Sequence, residues 1–356
     1  MSVAIQNVSG FVLGSVPGTA LNPVITGALL WAITKGPPSL KARLLRPFAS
    51  LPYDGRPAGL IKTLKWLFAL GLVVRINRVL NHTALNSWRL RSEKKRWDWN
   101  NEVAVVTGGS SGIGELVVKG LMKKGVKVAV LDVQPLPDSL KNFANVKFFE
   151  CDITSASTVH ETADSIRSTL GPPSILVNNA GIASAHTILD TSDEYLRKVF
   201  DVNLLSNFTT VKAFLPDMIV KNKGHIVTVA SCASFITVAG LVDYCSTKAG
   251  VFSFHEGLSQ ELKHRYSAPN VLTTSIHPSW VRTPLVDSWA ESLRNAKADL
   301  LTPQTIADAI VKQILSCSGG QRIIPSKISN VAGLRGWPNW LQEVVRDSTS
   351  NQVYGK

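Results

Sequence analysis

The chain has 356 residues, 45% of them hydrophobic, enough for one large domain with an appendage or for two modest domains. Its net charge of +13 is unevenly placed: residues 1–100 carry 14 Lys/Arg against 3 Asp/Glu, and residues 101–356 come to only +2. Four cysteines (Cys151, Cys232, Cys245, Cys317) without CxxC or metal-ligand spacing exclude a disulfide framework and a thiolate metal site, and suit a cytosol-facing protein.

No charged residue precedes Lys35. The densest apolar part of this start is VITGALLWAIT, Val24 to Thr34. No basic region leads into it, which argues against a secretory signal. Pro17, Gly18 and Pro23 interrupt it, which argues against one straight spanning helix. A second run, WLFALGLVV (Trp66 to Val74), covers about 14 Å as a helix, against a hydrocarbon core of about 30 Å. Lys62, Lys65, Arg75 and Arg78 flank it and spread over more than half the helical circumference, so it is no clean amphipathic helix. The basic connector 35–59 and SWRLRSEKKRWDW (Ser87 to Trp99), with three tryptophans, place cations and aromatics beside the apolar runs. Basic flanks stay cytoplasmic and tryptophans favour the interface. The expectation is a monotopic or hairpin membrane anchor over 1–98, on a membrane or lipid-droplet surface. The alternative is a helical cap buried against the remaining domain, 99–356. Nucleic acid is not an expected partner, because no groove-reading fold is visible and the apolar runs would go unexplained.

From residue 103 the texture changes. EVAVVTGG, VKVAVLDV, VKFFECDI, SILVNNAG, GHIVTVAS, VLTTSIHP and GQRIIPS read as seven strands. Helical spacing lies between them in GELVVKGLMKKG, about 192–222, about 242–265 and TPQTIADAIVKQILS. This order predicts an α/β fold, a doubly wound parallel sheet of about seven strands.

TGGSSGIG (Thr107 to Gly114) stands directly after a strand and before a helix. There Gly108 and Gly112 allow the turn and a close approach of backbone amides to a pyrophosphate, and Gly114 allows the helix to pack on the strand. Asp132 ends the next strand, where a carboxylate accepts ribose hydroxyls and repels a 2′-phosphate. No basic residue stands at Ser110, Ser111 or Val133 to receive such a phosphate. The cofactor expectation is therefore NAD(H) over NADP(H).

These motifs, with CDI (Cys151 to Ile153), NNAG (Asn178 to Gly181), DVN (Asp201 to Asn203), VASCAS (Val229 to Ser234) and YCSTK (Tyr244 to Lys248), resemble the short-chain dehydrogenase/reductase family over about residues 100–330. The resemblance implies a Rossmann-type fold and a nicotinamide cofactor. It implies Tyr244 as general acid/base, Lys248 as its partner on the nicotinamide ribose, Ser231 as the orienting serine, and Asn203 as the asparagine that distorts the long helix and carries a relay water. It further implies cofactor contacts at Gly108, Ser110, Ser111, Gly112, Ile113, Gly114, Asp132, Asp152, Ile153, Asn179 and Thr283, and no metal. Asn178 would support that site. One departure is Pro278-Ser279 where the family has Pro-Gly.

The chemistry explains the residue types. Removing hydride from an alcohol carbon leaves alkoxide-like charge on oxygen, so a side chain must take the proton. Free tyrosine titrates near pH 10, and an adjacent ammonium and the positive nicotinamide are expected to draw it down. Substrate contacts are expected from about Trp280 to Leu301, apolar at Trp280, Val281, Leu285, Val286 and Trp289. With the anchor, this resembles the membrane-associated retinol and 17β-hydroxysteroid dehydrogenase branch. That branch implies endoplasmic reticulum or lipid droplets, a lipophilic alcohol or carbonyl of retinoid, steroid or long-chain type, and allows a homodimer. The alternatives are a carbonyl reductase of a specialised-metabolite ketone and a catalytically silent lipid-droplet scaffold. His255 and His264, nine apart, do not suggest a metal pair, and Asn81-His82-Thr83 and Asn207-Phe208-Thr209 match glycosylation acceptors that a cytosol-facing protein leaves unused.

Overall fold

A computed structural model describes residues 20–46, 56–90, 92–350 and 353. The sequence expectations for residues 1–19 lie outside the described residues. The chain divides into two compact units, 1–84 and 85–356.

In the first unit, Asn22 caps α1 (Pro23–Thr34): its side chain accepts from Val24 N, and Pro23 lacks the N–H that a first turn leaves idle. α2 (Pro38–Leu45) follows, then α3 (Arg56–Leu85), a 30-residue helix that contains the whole second apolar run. α1 and α3 run antiparallel and meet at small residues. A Cβ on Gly27 would stand 3.0 Å from the Phe68 ring, and one on Gly71 would stand 2.3 Å from the Leu21 carbonyl oxygen. Much of the apolar surface nonetheless faces outward: Val24, Trp31, Trp66 and Val73 are all more than half exposed. No described helix is long and apolar enough to cross a membrane.

The second unit carries the seven expected strands: β1 (Val103–Thr107), β2 (Lys127–Asp132), β3 (Val146–Glu150), β4 (Ile175–Asn178), β5 (Gly224–Val229), β6 (Val271–Pro278) and β7 (Gly320–Ile324). All pair in parallel, in the order β3-β2-β1-β4-β5-β6-β7. Strand alternation sorts the side chains into two cores. Ala104, Val106, Val128 and Val130 face one layer with α4 (Gly112–Met122) and α10 (Pro303–Leu315). Val103, Val105, Ala129 and Leu131 face the other with α5 (Ala156–Thr169) and α7 (Ser206–Lys221). The strand order reverses between β1 and β4, which opens a crevice at their carboxyl ends, where open α/β sheets hold ligands.

Residues 85–90 and 92–98, assigned to the extension on sequence grounds, fold with this second unit. Asn86 exchanges two hydrogen bonds with the backbone of Gly319. Trp97 enters the core and stacks on Trp99, with centroids 5.4 Å apart. The buried Glu102 pairs with Lys223, whose ammonium sits 4.8 Å from the Trp97 ring centroid. The apolar and basic character of this stretch thus reflects a strap along the amino ends of the strands. The sequence pattern could not separate that role from an interfacial one.

The expected long helix over about 192–222 is three pieces: α6 (Asp193–Phe200), a π segment (Asp201–Leu205) and α7. α8 (Val242–His264) follows β5. A short 3-10 turn (Pro284–Trp289) and α9 (Ala290–Asn295) follow β6, and α11 (Asn339–Thr349) lies near the C-terminus.

Candidate active site

The glycine loop leaves β1 with Gly108 at φ +63° and Gly112 at φ +55°, conformations that tax any residue with a Cβ. A Cβ at Gly114 would stand 2.0 Å from the Gly108 carbonyl oxygen, so only glycine lets α4 start this close to the strand. Ser111 is the N-cap of α4 but makes no side-chain cap bond, and Ile113 packs toward the core. Asp132, at the end of β2, is aimed by two amides: Ser110 N donates to one carboxylate oxygen and Gln134 N to the other, both at 3.0 Å. Ser110 Oγ is spent on the Gln134 carbonyl at 3.0 Å. Thr283 lies across from Gly112, where a Cβ would be 3.7 Å from its methyl. Left-handed glycines, a helix N-terminus without a side-chain cap and an oriented carboxylate fit the pyrophosphate and adenosine half of a dinucleotide.

Asp152 and Ile153 follow β3. The Asp152 carboxylate accepts from Thr154 N at 2.9 Å and Thr154 Oγ1 at 2.7 Å, while Ile153 is buried. Asn179 does something the sequence did not reveal. Its Nδ2 donates to the Thr107 and Gly108 carbonyls, each at 3.1 Å, so it braces the glycine loop from beneath. Asn178 points elsewhere: its Oδ1 accepts from Thr210 Oγ1 of α7 at 2.9 Å.

The second half of the site forms where β5, α8 and the π segment converge. Ser231 follows β5 with its Oγ accepting from Ala233 N at 3.1 Å and donating to the Pro278 carbonyl at 3.4 Å, and Tyr244 of α8 is its neighbour. One helical turn on, Lys248 Nζ lies 5.5 Å from the Tyr244 ring centroid and donates to the Val229 carbonyl at 2.9 Å. Asn203, in the π segment, is clamped at both ends of its amide. Oδ1 accepts from Ile182 N at 2.8 Å, while Nδ2 donates to Ile182 O at 2.9 Å and Thr247 Oγ1 at 3.2 Å. The structure thus brings Ser231, Tyr244, Lys248 and Asn203 into one constellation, and Ala180-Gly181 links it to the glycine loop, with Ala180 against Gly108 and Gly181 against Asn203 and Lys248.

Burial sets the electrostatics. It pushes the Tyr244 phenol well above its usual value, and the neighbouring Ser231 hydroxyl opposes this only in part. Burial lowers Lys248 to about 8. In the chain by itself, desolvation of the phenolate therefore dominates at Tyr244. Ser279, in place of the family glycine, is held by a bond from its N–H to the Ile324 carbonyl at 2.8 Å and needs no positive φ.

Two further groups escaped the sequence reading. His277 Nδ1 lies 3.2 Å from the Ser231 carbonyl oxygen. Asp243, directly before Tyr244, accepts from Tyr244 N at 2.7 Å and pairs with His186 Nε2 at 3.0 Å, tying the loop after β4 to the start of α8. Apolar side chains (Val238, Leu241, Val286, Trp289, Leu293) form the cluster against which Tyr244 and Trp280 pack.

Residues 102–294 match the family described as short chain dehydrogenase. Dehydrogenase RED2 of Cochliobolus heterostrophus (strain C4 / ATCC 48331 / race T) is 42% identical over 200 residues, 54% of this chain and 76% of the relative. Estradiol 17-beta-dehydrogenase 11 of Homo sapiens is 33% identical over 242 residues, 66% of this chain and 79% of the relative. Among solved structures, a short-chain type dehydrogenase/reductase from Mycobacterium marinum shares 26% identity with a TM-score of 0.57, covering 64% of this chain and 95% of that one.

Proposed function

This chain belongs to the short-chain dehydrogenase family, an NAD(P)-dependent oxidoreductase acting on CH–OH groups, and from that premise we propose that it works on a lipophilic alcohol or carbonyl at a lipid surface. The observation that carries the proposal is the joining of two features in one chain. An apolar cluster packs against the half-buried Tyr244, and a helical unit presents Trp31, Trp66 and Val73 outward. Exposed tryptophans and apolar side chains flanked by lysines and arginines suit one leaflet of a membrane or a lipid droplet. Resemblance to the estradiol and retinol dehydrogenase branch supports a retinoid, steroid or long-chain substrate.

The glycine loop, Asp132 and Thr283 would hold the cofactor, and a bound nicotinamide ring supplies the hydride acceptor or donor. In the proposed roles, Ser231 donates a hydrogen bond to the reacting oxygen and fixes its place. Tyr244 Oη takes the hydroxyl proton as the alcohol is oxidised, or gives it back as a carbonyl is reduced. Lys248 supplies the nearby cation that offsets charge on the phenol oxygen and reaches the ribose hydroxyls. Asn203 holds the wall between the loop after β4 and α8. Asp132, held toward the loop by two amides, favours NAD over NADP because a 2′-phosphate would meet its charge.

A second reading, a reductase of a specialised-metabolite ketone, draws on the raised Tyr244 pKa, since a protonated phenol is the form that reduction consumes. The test is turnover by the detergent-purified full chain with retinoids, sterols, long-chain alcohols and smaller ketones, each with NAD(H) and NADP(H). Preference for a lipophilic alcohol with NAD supports the proposal. Preference for small ketones supports the second reading, preference for NADPH sinks the role of Asp132, and no turnover with any of them favours a silent scaffold. Oxidation should also rise with pH between about 6 and 9, because the base form of Tyr244 grows as pH approaches its raised pKa. A flat profile would remove Tyr244 as the base.

A further inference from the structure

The π segment Asp201–Leu205 contains no proline or glycine that would force a break in the helix. Such a segment shifts the backbone bonding from i+4 to i+5 and leaves carbonyls imperfectly paired, so something else must hold it. Asn207, buried at the start of α7, supplies a donor at that point. Its Nδ2 donates to the Asn203 carbonyl at 2.9 Å and also reaches the Leu204 carbonyl at 3.4 Å. Its own backbone carbonyl accepts from Thr210 Oγ1 at 3.2 Å, and that hydroxyl bonds Asn178 Oδ1 at the end of β4. A chain of bonds therefore runs from the sheet through Thr210 and Asn207 to the main chain of Asn203, whose side chain is clamped separately by Ile182 and Thr247.

We propose that Asn207 is a positioning residue: by satisfying the Asn203 carbonyl it sustains the π turn that presents Asn203 to Lys248 and the loop after β4. The glycosylation pattern at Asn207-Phe208-Thr209 is then incidental, since this side chain is buried and its Nδ2 is engaged. The proposal rests on the functional reading above, because its readout is turnover.

The requirement is one donor at this position aimed at the carbonyl four residues back. Serine can supply it, as Ser206 does for the Val202 carbonyl at 2.6 Å and Thr210 does for the Ser206 carbonyl at 2.9 Å. Alanine cannot, and an ionised aspartate would place an acceptor against an acceptor. The experiment compares kcat, KM, NADH affinity and the thermal midpoint for Asn207→Ala, Asn207→Ser and Asn207→Asp in the full chain. Loss of the turn misplaces Asn203, so Asn207→Ala should lower kcat by about tenfold or more, Asn207→Asp by at least as much, and Asn207→Ser by less than about threefold, with NADH affinity within about twofold throughout. A merely packing role predicts that alanine and serine behave alike, and equal losses in the two overturn the proposal, as does full activity in Asn207→Ala. Should the alanine variant fail to fold, the serine variant decides by itself: near-normal kcat supports the assignment and a tenfold loss refutes it. Absence of turnover in the unaltered protein overturns the functional reading, and this proposal falls with it.

Discussion

Two apolar runs of similar character meet opposite fates. In β1, Val103 to Thr107 are all buried, none more than 2% exposed. In α3, Trp66 is 70% and Val73 62% exposed. The difference lies in where the backbone finds its hydrogen bonds. A strand must borrow partners from neighbouring strands, so its side chains are carried into shared layers on both faces. A helix satisfies its own backbone, so its apolar side chains are free to remain outside, facing whatever medium accepts them. Hydrophobicity alone therefore does not locate a core. The flanking signals do: glycines and helical crossovers around β1, lysines and arginines around the α3 run.

Substitutions can break this comparison by striking one unit and sparing the other. The largest effect is expected from Gly114→Ala. The new methyl would meet the Gly108 carbonyl oxygen at 2.0 Å and Asn179 Nδ2 at 2.6 Å, so the loop must move. NADH affinity, read by fluorescence titration, should fall by about a hundredfold, the cost of losing the backbone cradle, while binding to lipid vesicles stays unchanged. Next comes the paired change Trp31→Ser and Trp66→Ser. Partition onto vesicles should drop about tenfold, with kcat on a short-chain alcohol held within about twofold. Undiminished flotation would show that these exposed side chains face something other than lipid.

A smaller effect separates the units by acid. Burial lowers His225 and His255 to about 3 each and His277 to about 4. An unfolded chain binds protons on these rings below about pH 6.5, where the folded chain does not. Stability of the catalytic unit is therefore full above that value and declines as pH falls toward 4, by up to about 1.4 kcal/mol per histidine per pH unit. Urea unfolding at about pH 7 and about pH 5 measures this slope, and His255→Phe should flatten it relative to the unaltered chain. An equal slope in the variant would mean that His255 is charged in the fold.

All seven strands were legible because buried parallel strands leave short apolar runs between turn signals. Ser231, Tyr244 and Lys248 were legible through motif spacing, and the structure places them together. The supporting groups were not. His186 meets Asp243 across 57 residues and His277 meets the Ser231 carbonyl across 46, separations without any periodic signature. Sequence marked Asn179 as a cofactor contact but did not show that its Nδ2 also braces the glycine loop, a pairing across separations of 72 and 71 positions. The direction of the Tyr244 shift was also hidden. Sequence shows a lysine four residues away but not the desolvation around the phenol, which raises its pKa.

The most direct test replaces Tyr244 by phenylalanine in the detergent-purified full chain and measures NAD-linked turnover and NADH binding on the same preparation. Removing one hydroxyl leaves the ring packed against its apolar neighbours but leaves no group to carry the proton. The account predicts that kcat falls by about a thousandfold or more while the NADH dissociation constant stays within about twofold. Turnover above about a tenth of normal, or a parallel loss of NADH binding, would contradict the assignment of proton transfer to Tyr244.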